Sequence, residues 1–494
     1  MNQTKQYHYL QILAKLLILL LGFCKPPELN NPSDPNSRSF FENAALLCAI
    51  GYYQSCNPCV PAPKPWDSFV APASLGQTFG LRTLTDRQYN TYGMFQSSNN
   101  FGFSGIPFSG TNGTTTNAFI SKKSATGLTI WDRYVGEISQ TRFDLIHRER
   151  DGLYFFLVTT TNLPSQINTF GGTPGISQNS VVGKFNEAGE LLWTTYINNG
   201  SNGNFTILGA VIDSLDQSGL YAIGRTTNAL VGTGTVIGTS LGNDWFFQKI
   251  SYDGNTISTR YINFPAPVSN FQPLRIVELP NATGFYVIAL VSADLNGTFT
   301  NGLNTFPGVS GNVVMKLDPQ GQYVWHRYLG DSANSPTDSV LTVANALPNS
   351  NLVTSAAYSG NAPSLGLPHP NPGNASSIFY LLNPNGSLIN SSFFYNNTNE
   401  YIVGSKGFPI SNEKILISGG KVDVSGNSGL LYELDSSNFR ESLRITRTGN
   451  VTASAVKHCD GSFTALTFTT TDIPGSILPK GSASINSYFS RFKP

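Results

Sequence analysis

Five histidines, five cysteines and scattered carboxylates are the side chains of this 494-residue chain that could do chemistry. The histidines are His8, His147, His326, His369 and His458. No two stand at a metal-binding interval such as His-x-x-x-His, and no Gly-x-Ser-x-Gly turn presents a nucleophile. His326 follows a tryptophan that recurs along the chain, which predicts a place at the surface of a repeated unit. His147 and His458 fall near the ends of corresponding strand-like runs. With Asp144, Asp213, Asp216 and Asp460 they are candidates for the mouth of an axial channel. Acid–base work by a His–carboxylate pair is the chemistry they would support. Hydrogen-bonded structural histidines are the plainer reading. The carboxylates show no Ca²⁺-loop pattern, so no metal and no cofactor is predicted.

The cysteines divide by position. Residues 1–24 hold Lys5 and Lys15 around an otherwise uncharged stretch with the apolar run Leu16–Leu21, then Gly22, Phe23 and Cys24. The run is shorter than the ~20 apolar residues a spanning helix needs, and reads as a secretory signal. It resembles a bacterial lipoprotein signal, spirochaetal ones in particular, which implies cleavage before Cys24 and acylation of its thiol. Phe23 departs from the small residue usual there, so ordinary signal cleavage with Cys24 left free is the alternative. Residues 24–65 then form a Pro/Asn-rich tether with a short Cys-containing cap, including a possible helix over Phe40–Ile50. Cys48, Cys56, Cys59 and Cys459 remain, an even number that permits two disulfides in an exported protein. Cys48 with Cys56 or Cys59 is the preferred bridge. A redox pair or half a zinc site at Cys56–Cys59 lacks the supporting helix or second ligand cluster.

The elements that must position any site are repeats. Gly183–Tyr196 and Met315–Tyr328 are two clear copies of one phrase. Its anchors are Lys122, Lys184, Lys249, Lys316, Leu381, Glu433 and Arg491, spaced 52–67 residues apart. Five residues after each of the first six come Gly127, Gly189, Gly254, Gly321, Gly386 and Asn438, residue types that accept positive φ at a tight reversal. Trp131, Trp193, Ser258, Trp325, Asn390 and Ser442 follow, then Tyr134, Tyr196, Tyr261, Tyr328, Phe393 and Ile445. A three-residue offset in a strand covers both faces, as for a sheet packed between two others. Further strand pairs, such as Phe143–His147 with Leu153–Val158, bring each unit to four strands, the signature of a propeller blade.

The last copy stops at Pro494 after its first half, and an orphan second half, Trp66–Val70, matches Trp131–Val135. The prediction is an all-β, seven-bladed β-propeller over residues 66–494, closed by pairing Trp66–Val70 with Tyr488–Phe492. The short interval between Leu381 and Glu433 predicts trimmed loops in that blade. Repeated aromatic and Lys positions are read as interblade packing and hydrogen bonding, leaving function to residues that do not repeat.

Charged residues are 12% of the chain and the net charge is +1, with no basic run, so nucleic acid is not expected as a partner. The phrase resembles repeats of bacterial extracellular propellers and, distantly, quinoprotein repeats, whose Thr-Gly-x-x-x-Trp is matched by Thr126–Trp131; a quinone is not implied. The resemblance implies a fold, and propellers host lyases, hydrolases, adhesins and scaffolds alike. The expectation is a monomeric, membrane-tethered binding or scaffold protein of the cell envelope, the outer membrane first, with a protein or glycan ligand on the loop face. Alternatives are a lyase or glycoside hydrolase using channel carboxylates, and a periplasmic outer-membrane assembly factor.

Overall fold

In the computed structural model the described residues run from Lys64 to Lys493, all within the unit Ala62–Pro494. Residues 71–77, 140–142, 198–205, 228, 231–233, 243, 264–271, 292–293, 307–310, 330–343, 359–375, 395–400, 410–413, 424–425, 448–450, 459, 471–472, 475 and 479–484 are not described. Cys24, Cys48, Cys56, Cys59 and Cys459, the signal, the tether and the Phe40–Ile50 segment lie outside the described residues.

Seven antiparallel sheets are present, each with its four main strands in the order first to fourth from one edge to the other. The first strands are Thr78–Thr85, Phe143–Arg148, Thr206–Asp213, Gln272–Glu278, Ala344–Ala346, Tyr401–Pro409 and Val451–Lys457. Successive first strands neighbour one another, and the last neighbours the first, so the sheets form a closed ring around an axis. Second and third strands such as Gly152–Thr159 and Asn179–Phe185 are buried at every position. A sheet sandwiched on both faces has no polar face, which is why these runs lack alternation.

Closure falls where the broken repeat predicts. Trp66–Phe69 pairs antiparallel with Asn486–Phe492, in the register Trp66 to Arg491 and Phe69 to Tyr488. That is the register in which Trp131 faces Lys122 and Trp193 faces Lys184. The final blade is thus an ordinary blade assembled from both ends of the chain.

The repeated residues dock each blade on the next. Trp131 Nε1 and Lys122 Nζ both donate to the Glu187 carbonyl, at 3.2 Å each. Trp325 Nε1 (3.2 Å) and Lys316 Nζ (2.9 Å) converge on Pro384 O. Trp66 Nε1 (3.0 Å) and Arg491 Nη1 (2.8 Å) converge on Ala125 O. Each acceptor lies two residues before the turn glycine of the next blade, and the indole covers that glycine. Gly189 has φ +79°, and a Cβ there would lie 2.9 Å from Trp131 Cδ2, so both backbone and space require glycine.

The repeated tyrosines pin the long loops between second and third strands. Tyr134 OH accepts from Phe101 N at 2.6 Å and donates to Asn99 O. Tyr196 OH does the same with Leu163 N and Thr161 O, and Tyr328 OH accepts from Leu295 N. Several of these loops then fold outside the fourth strand and pair with it in parallel. Ser104–Gly105 meets Arg133 and Tyr134, Thr235–Ile237 meets Ser258–Arg260, and single bridges join Gln166 to Thr194 and Gly302 to His326. Such segments blunt edges that would otherwise template aggregation.

These loops correct one expectation. His326 is fully buried, not at a blade surface, because the Gly302 segment lies over it. A second correction concerns the sixth blade, where the turn between Asp435 and Arg440 holds one residue more than the turn between Asn186 and Glu190. The positive φ falls on Phe439 rather than Asn438, and Leu443 rather than Ser442 faces Glu433. The trimmed loop of that blade is present: Lys414–Asp423 and Gly426–Asp435 pair out to Asp423 and Gly426.

Candidate functional site

With the repeated residues occupied in construction, two regions hold non-repeating side chains in accessible places: the axial channel and the loop face.

The first strands share an irregularity. Register slips by one residue at Gly80/Arg82, Leu208/Ala210, Pro273/Arg275, Gly404/Lys406 and Thr452/Ser454. A bulge leaves one residue unpaired and re-aims its neighbours, a device frequent beside functional sites. The residues after the slip form one layer around the axis: Arg82, Ala210, Arg275, Lys406 by backbone register, and Ser454, with Asp144 at the same level in the second blade. Arg82 Nε lies 3.3 Å from Asp144 Oδ1, and the two side chains keep 26% and 22% exposure although they sit inside the ring. Asp144 Oδ1 also accepts from Leu145 N at 2.8 Å. Arg275, two blades further on, feels both charges. Burial disfavours its guanidinium, Asp144 supports it and Arg82 opposes it. The three groups therefore share one electrostatic neighbourhood within the lumen.

His147 sits on the opposite, turn-rich face, in the contact between first and second blades. Its Nε2 lies 2.7 Å from Glu187 Oε1 and its ring stacks on Tyr92 at 4.8 Å. Glu187 Oε2 accepts from Tyr92 OH at 2.7 Å and from Lys122 Nζ at 3.0 Å. Burial raises the Glu187 pKa, but these donors outweigh it and hold the carboxyl down to about 2. A carboxylate so fixed is an interblade clasp. Asp213, aligned with His147, is similarly engaged by Arg148 Nη1 (2.7 Å) and Tyr252 OH (2.6 Å). Its burial prevails over Arg148, pushing it up to about 6.

His458 does not align with His147. Lys457 takes that register, opposite Phe463, and His458 begins the following turn. Its Nε2 is 2.8 Å from Thr464 Oγ1, a spacing that a hydroxyl nucleophile and its base would show. Thr464 is wholly buried, however, and its Oγ1 also accepts from Arg491 Nε, so no substrate reaches it. Burial and the Arg491 charge push His458 down to about 4, leaving it neutral near pH 7. Asp460 closes the same turn by accepting from Ser462 N and Oγ. Among the described residues no three His, Cys, Asp or Glu side chains converge as a metal site.

Sequence reasoning singled out Asp144 but not Arg82 or Arg275. The available signal was a basic residue inside apolar strand runs, Leu81–Leu84 and Leu274–Val277.

On the loop face a cleft of about 640 Å³ opens between the long loops of blades one and two. Ile106, Pro107, Phe108, Leu163, Pro164 and Pro174 line it, with Ser109, Thr161, Asn162 and Gln166 supplying polar groups. Phe108 is held edge-on by Tyr134 at 5.5 Å. Apolar walls with a few placed polar groups are the usual make-up of a binding cleft.

Ring, closure and blade docking define the class: this is a seven-bladed β-propeller. No family model matches the sequence, and no curated protein matches it. Among solved structures the chain is similar to the polysaccharide lyase Uly1, at 11% identity and a TM-score of 0.47, over 84% of this chain and 90% of that one. It is also similar to a periplasmic gluconolactonase, PpgL, of Pseudomonas aeruginosa, at 10% identity and a TM-score of 0.40, over 78% and 96%. Likeness at this level carries no functional argument.

Proposed function

We propose that this protein is an exported propeller, tethered to a membrane of the cell envelope through acylated Cys24, that binds a protein or glycan on its loop face. The observation that carries the binding reading is the cleft between blades one and two. Most of its residues, Phe108 and Gln166 among them, belong to the loops, on a frame whose repeated Trp and Tyr side chains are already engaged. An aromatic face beside amide and hydroxyl groups suits the apolar face and hydroxyl rim of a sugar, or a peptide backbone.

The test is a screen of the purified chain against envelope and host-matrix components, repeated with Phe108→Ala and Gln166→Ala. The expected result is a ligand whose affinity falls about tenfold in these variants, the loss of roughly one hot-spot contact, with unfolding little changed. A ligand bound equally well by both variants would place recognition elsewhere. The anchor is tested separately. Cys24→Ala is expected to move the protein from the detergent phase to the aqueous phase, because acyl chains contribute ~0.8 kcal/mol per buried methylene. Unchanged partitioning would contradict lipidation. Protease protection on intact cells would favour a periplasmic assembly role over an exposed binder.

The enzyme alternative needs two carboxylates converging in a pocket. Among the described channel residues, Asp144 is the carboxylate of its layer, and it is ion-paired with Arg82.

A further inference from the structure

Among the described residues, one layer of the axial channel holds more basic than acidic side chains, a feature the loop-face reading does not use. In the layer set by the first-strand bulges, two guanidiniums, Arg82 and Arg275, accompany one carboxylate, Asp144. Ala210 and Ser454, the other described members, are small and uncharged. Arg275 is the more telling of the two arginines. It lies deep in the ring yet retains solvent-accessible surface, as a side chain lining an internal lumen does. Among the described residues its one direct hydrogen bond runs from Nη1 to Leu274 O at 3.0 Å, whereas a guanidinium offers five N–H donors. Arginine keeps its proton in a protein, so this charge must be met by an anion or by ordered water. Burying it with no fixed partner is costly, which gives a lumenal anion its driving force.

We propose that this layer of the channel binds a small oxyanion group, a carboxylate or a sulfate, with the Arg275 guanidinium as principal donor and Arg82, oriented by Asp144, contributing the second positive charge. A planar fork of N–H donors matches the two oxygens of either group. The ligand class is an acidic group presented through the channel, whether on a free small molecule or on the chain that the loop face holds.

The experiment is calorimetric titration of the full chain with sodium acetate and, separately, with sodium sulfate, each against sodium chloride at matched ionic strength. A saturable isotherm is expected for at least one of the two anions, and the pair distinguishes carboxylate from sulfate selectivity. Arg275→Gln should weaken that binding about tenfold or more, the loss of one charge-assisted bidentate contact. Its unfolding midpoint should equal or exceed that of the parent, because a charge without a fixed partner has been removed. Arg275→Lys, which keeps the charge and loses the fork, should also weaken binding, and it serves if the Gln variant does not fold. Phe108→Ala and the surface variant Arg444→Gln should leave the isotherm unchanged, so failure here is separable from failure of the loop-face reading. Absence of a saturable isotherm for both anions, or binding unaltered in both Arg275 variants, would overturn the proposal. A fall in the Arg275→Gln midpoint with unchanged affinity would show a purely structural role and overturn it equally.

Discussion

Arg491→Leu will destabilise the protein by about 2–4 kcal/mol, read as a lower urea midpoint, because several groups at a blade junction lose one charged donor. Arg491 is 1% exposed at the junction of last and first blades. Its Nη1 donates to Ala125 O at 2.8 Å, its Nη2 to Tyr89 O at 2.7 Å and Thr91 Oγ1 at 3.2 Å, and its Nε to Thr464 Oγ1 at 3.2 Å. The guanidinium also lies over the Trp66 and Tyr89 rings at 5.4 and 5.3 Å. Burial opposes the charge and pulls its pKa down to about 10, so the side chain is retained for the bonds it makes. Leucine would strip the Tyr89 carbonyl of this donor and leave Ala125 O with Trp66 Nε1 alone, while filling similar space. Arg491→Lys should recover much of the loss, since Lys122 and Lys316 make the equivalent bond in their own blades. A leucine variant as stable as the parent would mean that blade seven does not dock on blade one through this contact.

The second large effect is on acid stability. His326 is fully buried, its Nδ1 lies 2.9 Å from Tyr323 OH, and its ring meets Tyr328 edge-on at 5.1 Å. Burial outweighs the nearby Asp294 and lowers its pKa from 6.5 to about 4. Between these values the unfolded chain takes a proton that the folded chain refuses. The contribution is therefore complete above pH 6.5 and is lost as pH falls through about 4. For His326 the loss by pH 4.5 amounts to about 2–3 kcal/mol at 1.36 kcal/mol per pKa unit. His458, also lowered to about 4, acts in the same window. His326→Phe, a larger ring that forgoes the Tyr323 bond, should cost about 1–3 kcal/mol at pH 7. Unfolding curves taken from pH 7 to pH 4 should then be flatter in the variant. Identical slopes would show that His326 does not titrate with unfolding.

What was legible in the sequence follows from repetition. Lys122, Lys184 and Lys316 recur because each must reach a carbonyl at the same place in the next blade, and Gly189 recurs because an indole lies on it. Blade count and closure could thus be read from spacing alone. Errors arose where one residue was added or a loop folded over. The extra residue before Phe439 moves every later position of blade six by one, exchanging Ser442 for Leu443. The Gly302 segment buries His326 through a contact that no local pattern encodes. His458 was offset from His147 by a single residue, enough to take it from strand end to turn. The channel layer was the hardest to see. Arg82 and Arg275 stand after bulges and Asp144 in a regular strand, so pairing register, not the sequence interval, brings them to one level.

The account rests on a ring closed by pairing Trp66–Phe69 with Asn486–Phe492, with repeated residues such as Lys122, Lys316 and Arg491 docking blade on blade. The direct measurement is cross-linking in the full chain carrying Asp67→Cys and Ser490→Cys, positions that face each other across the closing pair. Directly opposed strand residues have Cβ atoms roughly 4.5–5.5 Å apart, close enough for a disulfide to form with small backbone adjustment. Under mild oxidation, peptide mapping should recover the segment around residue 67 joined to the segment around residue 490, and the unfolding temperature should rise. Failure to form that link in folded protein, or its formation only between two molecules, would contradict closure by the N-terminal strand.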